Sequence, residues 1–307
     1  MIKLPKDFDS SRAITVIYHK NCADGFGAAY ACWCEFGGWA NYVAVSHGDI
    51  TELSEKSEHS YLWAEKRVYI VDFSFDLPVM EYIKMLSSRL VVLDHHKTAV
   101  EKLASLVPRS SDCFEFDMER SGAVIAWEHF GRGPVPQILL HIQDRDLWKF
   151  KLEGTKQIQA AIFSYPYDFL IWREWMLKPD SAIPELANIG YALDRKHTKD
   201  IEELLEAGAK IDLWLEGLNS RVVGANLPYI YSSEAGHILQ EKYLQPIGAC
   251  FWQKGSDSYV FSLRSWDFGP DVSKIAKHYG GGGHRNAAGF EVNTAAMIQI
   301  RGQGIVI

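Results

Sequence analysis

Short runs of apolar, β-branched residues recur through the first hundred residues, and polar segments with helical spacing separate them. The runs are AITVIY (13–18), NYVAV (41–45), RVYIVDF (67–73) and RLVVLDHH (89–96). Runs that are apolar almost throughout are typical of parallel strands covered by helices on both faces. The pattern therefore predicts an α/β fold with an N-terminal parallel sheet.

Helical spacing dominates the middle of the chain. It covers 121–130, with Ser121 as N-cap, and 135–143, which continues directly into DRDLW. A charged, amphipathic stretch over 180–217 predicts a helical connection between two domains.

A second, smaller α/β unit is predicted after this connection. Its strands are expected at 227–232, 247–253 and 259–265, with a turn at KGSDS. The expected domain boundaries are 1–180 for the first domain, 181–217 for the helical linker and 218–307 for the second domain.

Composition narrows the function classes. With 307 residues, 47% of them hydrophobic, the chain can bury a sizeable core. Its formal charge of −7 argues against binding long nucleic acid, because affinity for a polyanion depends on Lys and Arg displacing counterions. The five cysteines form no CxxC pair, and no leader or membrane-spanning run is evident, so a reducing, cytoplasmic location without membrane contact is expected.

Carboxylates and histidines follow the predicted strands. Asp72 and Asp94 each come after a buried strand, where an unpaired charge is costly, so a cation is expected beside them. Neighbouring imidazole and carboxylate groups suit Mn²⁺; they belong to His19, Asp24, His95 and Asp144. The alternative is structural, because a strand-end Asp is often a helix cap or turn former.

The segment KHYGGGGHRNAAGFEV (277–292) is a second candidate site. Glycines expose backbone N–H groups that can hold a phosphate, and adjacent cationic side chains would strengthen binding. The candidate residues are Gly281, Gly282, Gly283, His284 and Arg285. A flexible loop is the alternative. Aromatic side chains near the proposed loops are candidates for base stacking; they are Phe26, Trp148, Trp252 and Trp266.

The segment LDHHK, with Asp94, His95 and His96, resembles the signature of the DHH phosphoesterase superfamily. Further segments resemble its other motifs in the same order: HKNCADG, VDFS, IQDRD and GGGGHRNAAG. The resemblance implies a two-lobed enzyme with a dinuclear Mn²⁺ centre in the N-terminal lobe and a substrate-binding C-terminal lobe across a cleft. Mg²⁺ and Co²⁺ are the alternative ions. Exonucleases, short-oligonucleotide hydrolases, cyclic-dinucleotide phosphodiesterases and nucleotide phosphatases belong to this family.

The resemblance also implies a ligand set. His19 and Asp72 would hold one metal ion. Asp24, the shared Asp72, His95 and Asp144 would hold the other, and Asp94 would orient His95. Cys22 stands where the family has an aspartate, so it either ligates as a thiolate or leaves the first ion with fewer ligands.

The implied reaction is hydrolysis of a phosphodiester. Asp72 would orient the attacking water, and His96 would hold a phosphate oxygen or protonate the leaving group. The expected substrate is a short phosphorylated oligoribonucleotide or a dinucleotide such as linear pGpG, cleaved to mononucleotides. The alternatives are a nucleotide 3′-phosphatase, a cyclic-dinucleotide phosphodiesterase and a catalytically weak nucleotide-binding sensor. The sequence leaves open whether the protein is a homodimer.

Overall fold

The protein has an α/β fold that divides into two compact units, residues 1–194 and 195–307. The structure, a computed structural model, describes residues 2–46, 49–50, 57–208, 210–218 and 220–302. Within these residues, no helix is both long enough and apolar enough to cross a membrane.

The first unit is built on a parallel sheet. Its strands are β1 (Ile14–His19), β2 (Ala40–Val45), β3 (Arg67–Val71), β4 (Arg89–Asp94) and β5 (Cys113–Phe116), and they pair in the order β2-β1-β3-β4-β5. The sequence predicted the first four strands at these places. Strand β5 was not predicted, because its residues CFEF form a short run that is only half-buried.

Alternate side chains of this sheet face two different cores. Ile17, Ile70 and Val92 share one apolar cluster, whereas Val71 and Leu93 belong to another. Because both faces are buried, the strands are apolar at nearly every position. In β1, β3 and β4 the charged and histidine side chains lie at the strand ends, and the candidate site lies at the carboxyl ends.

Helices surround the sheet and extend the unit. Their bounds are Ala23–Phe36, Leu77–Leu86, Lys97–Lys102, Gly122–His129, Gln137–Asp146, Thr155–Ser164, Phe169–Leu177 and Pro179–Glu206, with short 3₁₀ turns at Gly37–Trp39 and Ser60–Leu62. Ser121 is the N-cap of the helix Gly122–His129, as predicted. Its hydroxyl accepts a hydrogen bond from the backbone N–H of Val124.

The helical connection is shorter than predicted. The helix ends at Glu206, and Lys210–Leu215 forms strand β6 rather than continuing the predicted helix to 217. Gly208, with φ +101°, adopts a backbone conformation that ends a helix readily. The sequence KIDLWL then alternates polar and apolar residues, which is the strand period. The division between the units falls inside the helix.

The second unit contains a mixed sheet with the order β10-β11-β9-β8-β7-β6. Its remaining strands are β7 (Ser220–Asn226), β8 (Gly248–Lys254), β9 (Ser258–Arg264), β10 (Gly282–Gly283) and β11 (Ala287–Asn293). Its helices are Ser232–Tyr243, Val272–His278 and Thr294–Gly302. The predicted strands at 247–253 and 259–265 are confirmed as β8 and β9.

The predicted strand at 227–232 is wrong. Tyr229–Tyr231 is a 3₁₀ turn that leads into the helix starting at Ser232. Pro228 has no backbone N–H for a sheet ladder and precedes this turn with φ −54°. The apolar residues on either side of Pro228 instead join an apolar cluster with helix residues of the second unit.

Candidate metal centre

Polar side chains gather where adjacent strands of the parallel sheet end. Strand β1 ends at His19, β3 is followed by Asp72, and β4 ends at Asp94, which precedes His95 and His96. The strands are in register, with Tyr18 opposite Val71 and Val71 opposite Leu93, so these ends lie at one edge.

Asp72 lies at the centre of this edge. Its side chain is 1% exposed, and its Oδ1 is 3.0 Å from Nε2 of His95. Its Oδ2 is 3.6 Å from Nδ1 of His19 and has no hydrogen-bond partner among the residues that the structure describes. Burial opposes ionisation of Asp72, but His19 and His95 outweigh it and hold the pKa of Asp72 well below its usual range. Because Oδ2 is buried, ionised and without a hydrogen-bond partner among the described residues, a cation beside it would be stabilising.

Two glycines let the helices reach this edge. A Cβ on Gly122 would lie 2.5 Å from the Cβ of Asp72, and one on Gly25 would lie 2.3 Å from the carbonyl oxygen of His19. Any larger residue would force these segments apart. Gly25 thereby permits the turn from β1 into the following helix.

Asp24 is fixed by the start of another helix. Its two carboxylate oxygens accept hydrogen bonds from the backbone N–H groups of Gly122 (2.6 Å) and Ala123 (3.0 Å). Burial, followed by the carboxylates of Asp72 and Asp146, raises the pKa of Asp24 well above its usual range. Such crowding of carboxylates costs free energy that a bound cation would offset.

His95 brings the carboxylates together. Its Nε2 lies 3.0 Å from Asp72, 3.5 Å from Asp24 and 3.6 Å from Asp146. Burial favours the neutral ring, yet the hydrogen bond to Asp72 and the charges of Asp146, Asp72 and Asp24 raise the pKa of His95 to about 10. A proton on this nitrogen compensates part of the surrounding negative charge, and a divalent cation would compensate more of it.

The aspartate beside His95 is Asp146, and not Asp144 as the motif resemblance implies. Asp144 accepts hydrogen bonds from the backbone N–H groups of Lys151 (2.7 Å) and Leu152 (2.9 Å) and from Oγ1 of Thr155 (2.7 Å). Both of its oxygens therefore hold the loop that follows the helix. Asp146 instead shares a group with Asp24 and His95, and within the described residues Asp144 belongs to no such group.

Asp94 also differs from its predicted role. Its Oδ1 accepts from the backbone N–H of His95 (2.7 Å) and lies 2.7 Å from Nδ1 of His96, while its Oδ2 accepts from Oγ of Ser74 (2.6 Å). Asp94 therefore orients the ring of His96, not that of His95. Burial opposes ionisation, but His96 and Ser74 lower the pKa of Asp94 to about 2. Burial opposes protonation of His96, and Asp94 outweighs it and raises the pKa of that ring.

Cys22 lies beside His19 and Asp72. The ligand atoms of these three residues are all within 4.8 Å of one another. Cys22 is the N-cap residue of the helix Ala23–Phe36. Burial, followed by the negative charge of Asp72, raises the pKa of its thiol well above the usual value.

The glycine-rich run lies in the second unit and has a structural function there. The backbone N–H groups of Gly280 and Gly281 donate to carbonyls of Lys277 and Ala276, and a Cβ on Gly281 would lie 2.1 Å from the carbonyl oxygen of Gly289. The run therefore ends a helix and packs closely on β11; it is not the flexible loop considered above.

Arg285 is held by the same unit. Its guanidinium donates to the carbonyl oxygens of Gly269 (3.0 Å) and Trp266 (3.4 Å). Substrate binding by Gly281, Gly282, Gly283, His284 and Arg285 stays a prediction.

The aromatic candidates differ in burial. Phe26 is 2% exposed and stacks on Phe169 at 4.7 Å, so it belongs to the apolar core and is not available to a nucleobase. Trp148, Trp252 and Trp266 are half-buried.

The donors at the sheet edge fit divalent cations. Asp24, His95 and Asp146 form one group of nitrogen and oxygen ligands, and His19, Cys22 and Asp72 form a second one that includes sulfur. Asp72 touches both, since its Oδ1 contacts His95. The unpartnered Oδ2 of Asp72 and the crowded carboxylates around His95 are the features that a cation would satisfy.

Comparison with solved structures finds distant similarities. A pGpG-specific phosphodiesterase from Vibrio cholerae is 14% identical, with a TM-score of 0.48 and coverage of 94% of this chain and 96% of that one. An exopolyphosphatase-related protein from Bacteroides fragilis is 15% identical, with a TM-score of 0.49 and coverage of 94% and 90%. RecJ from Thermus thermophilus, solved with Mn²⁺, is 13% identical, with a TM-score of 0.47 and coverage of 94% and 51%. These similarities are too distant to carry a conclusion about this chain.

Comparison of sequences finds a nearer relative. No family model matches the chain. An uncharacterized protein of Acanthamoeba polyphaga mimivirus is 30% identical over 297 residues, which cover 92% of this chain and 68% of that protein. The chain therefore belongs to the same family as this mimivirus protein.

Proposed function

We propose that the protein is a metal-dependent phosphodiesterase that hydrolyses short phosphorylated oligoribonucleotides or dinucleotides, such as linear pGpG, to mononucleotides. The observation that carries the proposal is the pair of ligand groups that meet at Asp72 on the carboxyl edge of a parallel sheet. The order of the motifs that resemble those of DHH phosphoesterases supports the reaction class. The net charge of −7 supports a short substrate over a long nucleic acid.

The ligand groups set where the substrate's phosphate would bind. Asp24, Asp72, His95 and Asp146 would hold one divalent ion, and His19, Cys22 and Asp72 would hold the other. Mn²⁺ is the ion expected at the first of these positions, whose donors are imidazole and carboxylate. When bound, divalent ions supply charge stabilisation at phosphoryl oxygens and lower the pKa of water.

His96 is suited to a direct role at the phosphate. Ionised Asp94 accepts from Nδ1 of His96 at 2.7 Å, which fixes the orientation of the ring. We assign to Nε2 the donation of a proton to a phosphate oxygen or to the departing ribose oxygen. The side chain of His96 is 18% exposed, so a substrate can reach it.

A product assay tests the proposed function. Purified protein with Mn²⁺ is given pGpG, 5′-phosphorylated RNAs of increasing length, cyclic di-GMP and adenosine bisphosphate, and the products are separated by ion-exchange chromatography. We expect mononucleotides to form fastest from the dinucleotide. Release of inorganic phosphate alone would make the protein a phosphatase, and binding without any product would favour the sensor.

Replacing His96 with Ala should lower turnover about 10²- to 10⁴-fold, the usual contribution of a positioned acid–base group, while leaving Mn²⁺ affinity nearly unchanged. The reason is that Nδ1 of His96 is engaged by Asp94, whereas the ring of His95 contacts the carboxylates. Turnover and equilibrium dialysis of Mn²⁺ measure the two effects separately. His129→Ala, a half-buried histidine outside the ligand groups, is the control. Unchanged turnover in the His96 variant would remove this role.

A further inference from the structure

We propose that Cys22 is a thiolate ligand, and that the site formed with His19 and Asp72 selects a thiophilic divalent ion (Fe²⁺, Co²⁺ or Zn²⁺) over Mn²⁺ and Mg²⁺. The inference rests on the proposed function in one respect: both require the sheet edge to be a metal centre. It adds the identity of one ligand and the class of ion at one of the two positions.

The side chain of Cys22 is a poor cap for the helix that begins at Ala23. N-cap side chains normally accept a hydrogen bond from a backbone N–H of the first turn, and Ser, Thr, Asp and Asn do so best. Cys22 is the N-cap of the helix Ala23–Phe36, with φ −124° and ψ 133°, and its side chain makes no capping hydrogen bond. Its sulfur instead lies in a group with Nδ1 or Nε2 of His19 and a carboxylate oxygen of Asp72, all within 4.8 Å.

A second observation points to a ligand at the same place. The Oδ2 atom of Asp72 is buried without a hydrogen-bond partner among the described residues, and Nδ1 of His19, at 3.6 Å, lies beyond hydrogen-bond distance. The side chain of Asp72 is 1% exposed, so bulk water does not solvate this oxygen. A cation between the carboxylate, the imidazole and the sulfur would satisfy it.

The donor types differ between the neighbouring ligand groups. Asp24, His95 and Asp146 offer only nitrogen and oxygen, which suit Mn²⁺ and Mg²⁺. Cys22 adds sulfur to the other group, and thiolate with imidazole shifts the preference toward Zn²⁺, Co²⁺ and Fe²⁺. A thiolate carries the same single negative charge as the carboxylate it replaces, so the charge of the site is preserved. The two positions should therefore prefer different ions.

Cobalt spectroscopy tests this inference without an activity assay. Metal-free protein is titrated with Co²⁺, and a sulfur-to-cobalt charge-transfer band in the near ultraviolet is expected as the ion binds. Cys22→Ser should lose this band but keep the visible absorption of Co²⁺ at the nitrogen and oxygen ligands. Cys34→Ser, which changes another half-buried cysteine of the same helix, should keep both.

Competition between ions provides a second readout. In Cys22→Asp, the ratio of Co²⁺ affinity to Mn²⁺ affinity should fall at least about tenfold. Loss of an outer-shell partner of a metal ligand already changes metal affinity by about that much, and Cys22 is proposed to be a ligand itself. Thermal melts of the metal-free variants check that each one folds. Cobalt binding without a charge-transfer band, a band that survives in Cys22→Ser, or failure of the protein to bind cobalt would each overturn the inference.

The result is separable from the proposed function. A Cys22-dependent band in a protein that cleaves no phosphodiester would leave the thiolate ligand standing and remove the phosphodiesterase. Cleavage of pGpG by a protein whose cobalt form shows no sulfur band would leave the phosphodiesterase standing and remove the thiolate ligand.

Discussion

Asp72→Asn is expected to remove tight cation binding at both ligand groups, and hydrolysis with it. Oδ1 of Asp72 is 3.0 Å from Nε2 of His95, and the same carboxylate shares a group with His19 and Cys22. Asn keeps one carbonyl oxygen for His95 but replaces the other oxygen with an NH₂ group that repels a cation. The loss of Mn²⁺ affinity should exceed the roughly 10- to 100-fold that removal of an outer-shell partner costs.

Asn is the informative replacement because of the backbone at this position. Asp72 has φ +51°, in the left-handed region that Asn tolerates better than most residues. The matched control is Asp76→Asn, since the side chain of Asp76 is 67% exposed and pairs with Lys102. Equilibrium dialysis measures Mn²⁺ affinity, and circular dichroism checks the fold. A folded Asp72→Asn protein that binds Mn²⁺ as tightly as the parent would contradict the placement of the centre.

The location of the candidate site could be predicted from the sequence because few physical constraints decide it. Strands β1, β3 and β4 are apolar at nearly every interior position, so the acidic and histidine side chains at or just after their carboxyl ends must lie at that edge of the sheet. The ends of adjacent parallel strands bring His19, Asp72 and His95 together, and this follows from the sequence without any knowledge of distances. It needs only the strand assignments, which the structure confirms.

The exact partner of each side chain could not be predicted in this way. Asp144 and Asp146 lie two residues apart on one helix, so they point in different directions. Which of them faces His95 depends on the loop that follows, where the N–H groups of Lys151 and Leu152 occupy Asp144. The sequence does not show where those donors go. The partner of Asp94 likewise depends on ring orientation, which no spacing rule determines.

The glycine-rich run of the second unit shows a different limit. Its composition fits a phosphate cradle and a tight structural crossing equally well, because both need backbone without Cβ atoms. The contact between Gly281 and the backbone of Gly289 shows that close packing already explains that glycine. A pattern of residue types identifies where the backbone is approached closely, but not which group approaches it.

The contrast between Asp146→Asn and Asp144→Asn provides the most direct test of the reassigned ligand. The side chain of Asp146 is 24% exposed and lies 3.6 Å from Nε2 of His95, near the carboxylates of Asp24 and Asp72. Its neutralisation removes repulsion by Asp24 and Asp72 but also the attraction to protonated His95, so the melting temperature without metal should change little. Mn²⁺ affinity and turnover should both fall, affinity by more than about 10- to 100-fold.

Asp144→Asn should behave in the opposite way. The carboxylate of Asp144 accepts from two backbone N–H groups and from Thr155, and Asn would turn an NH₂ group toward some of these donors. Leaving a buried donor unsatisfied costs about 1–3 kcal/mol, so the melting temperature should drop. Metal affinity at low temperature, where the variant is folded, should change less than in Asp146→Asn. If the two variants exchanged these results, Asp144 would be the ligand and Asp146 would lie outside the centre.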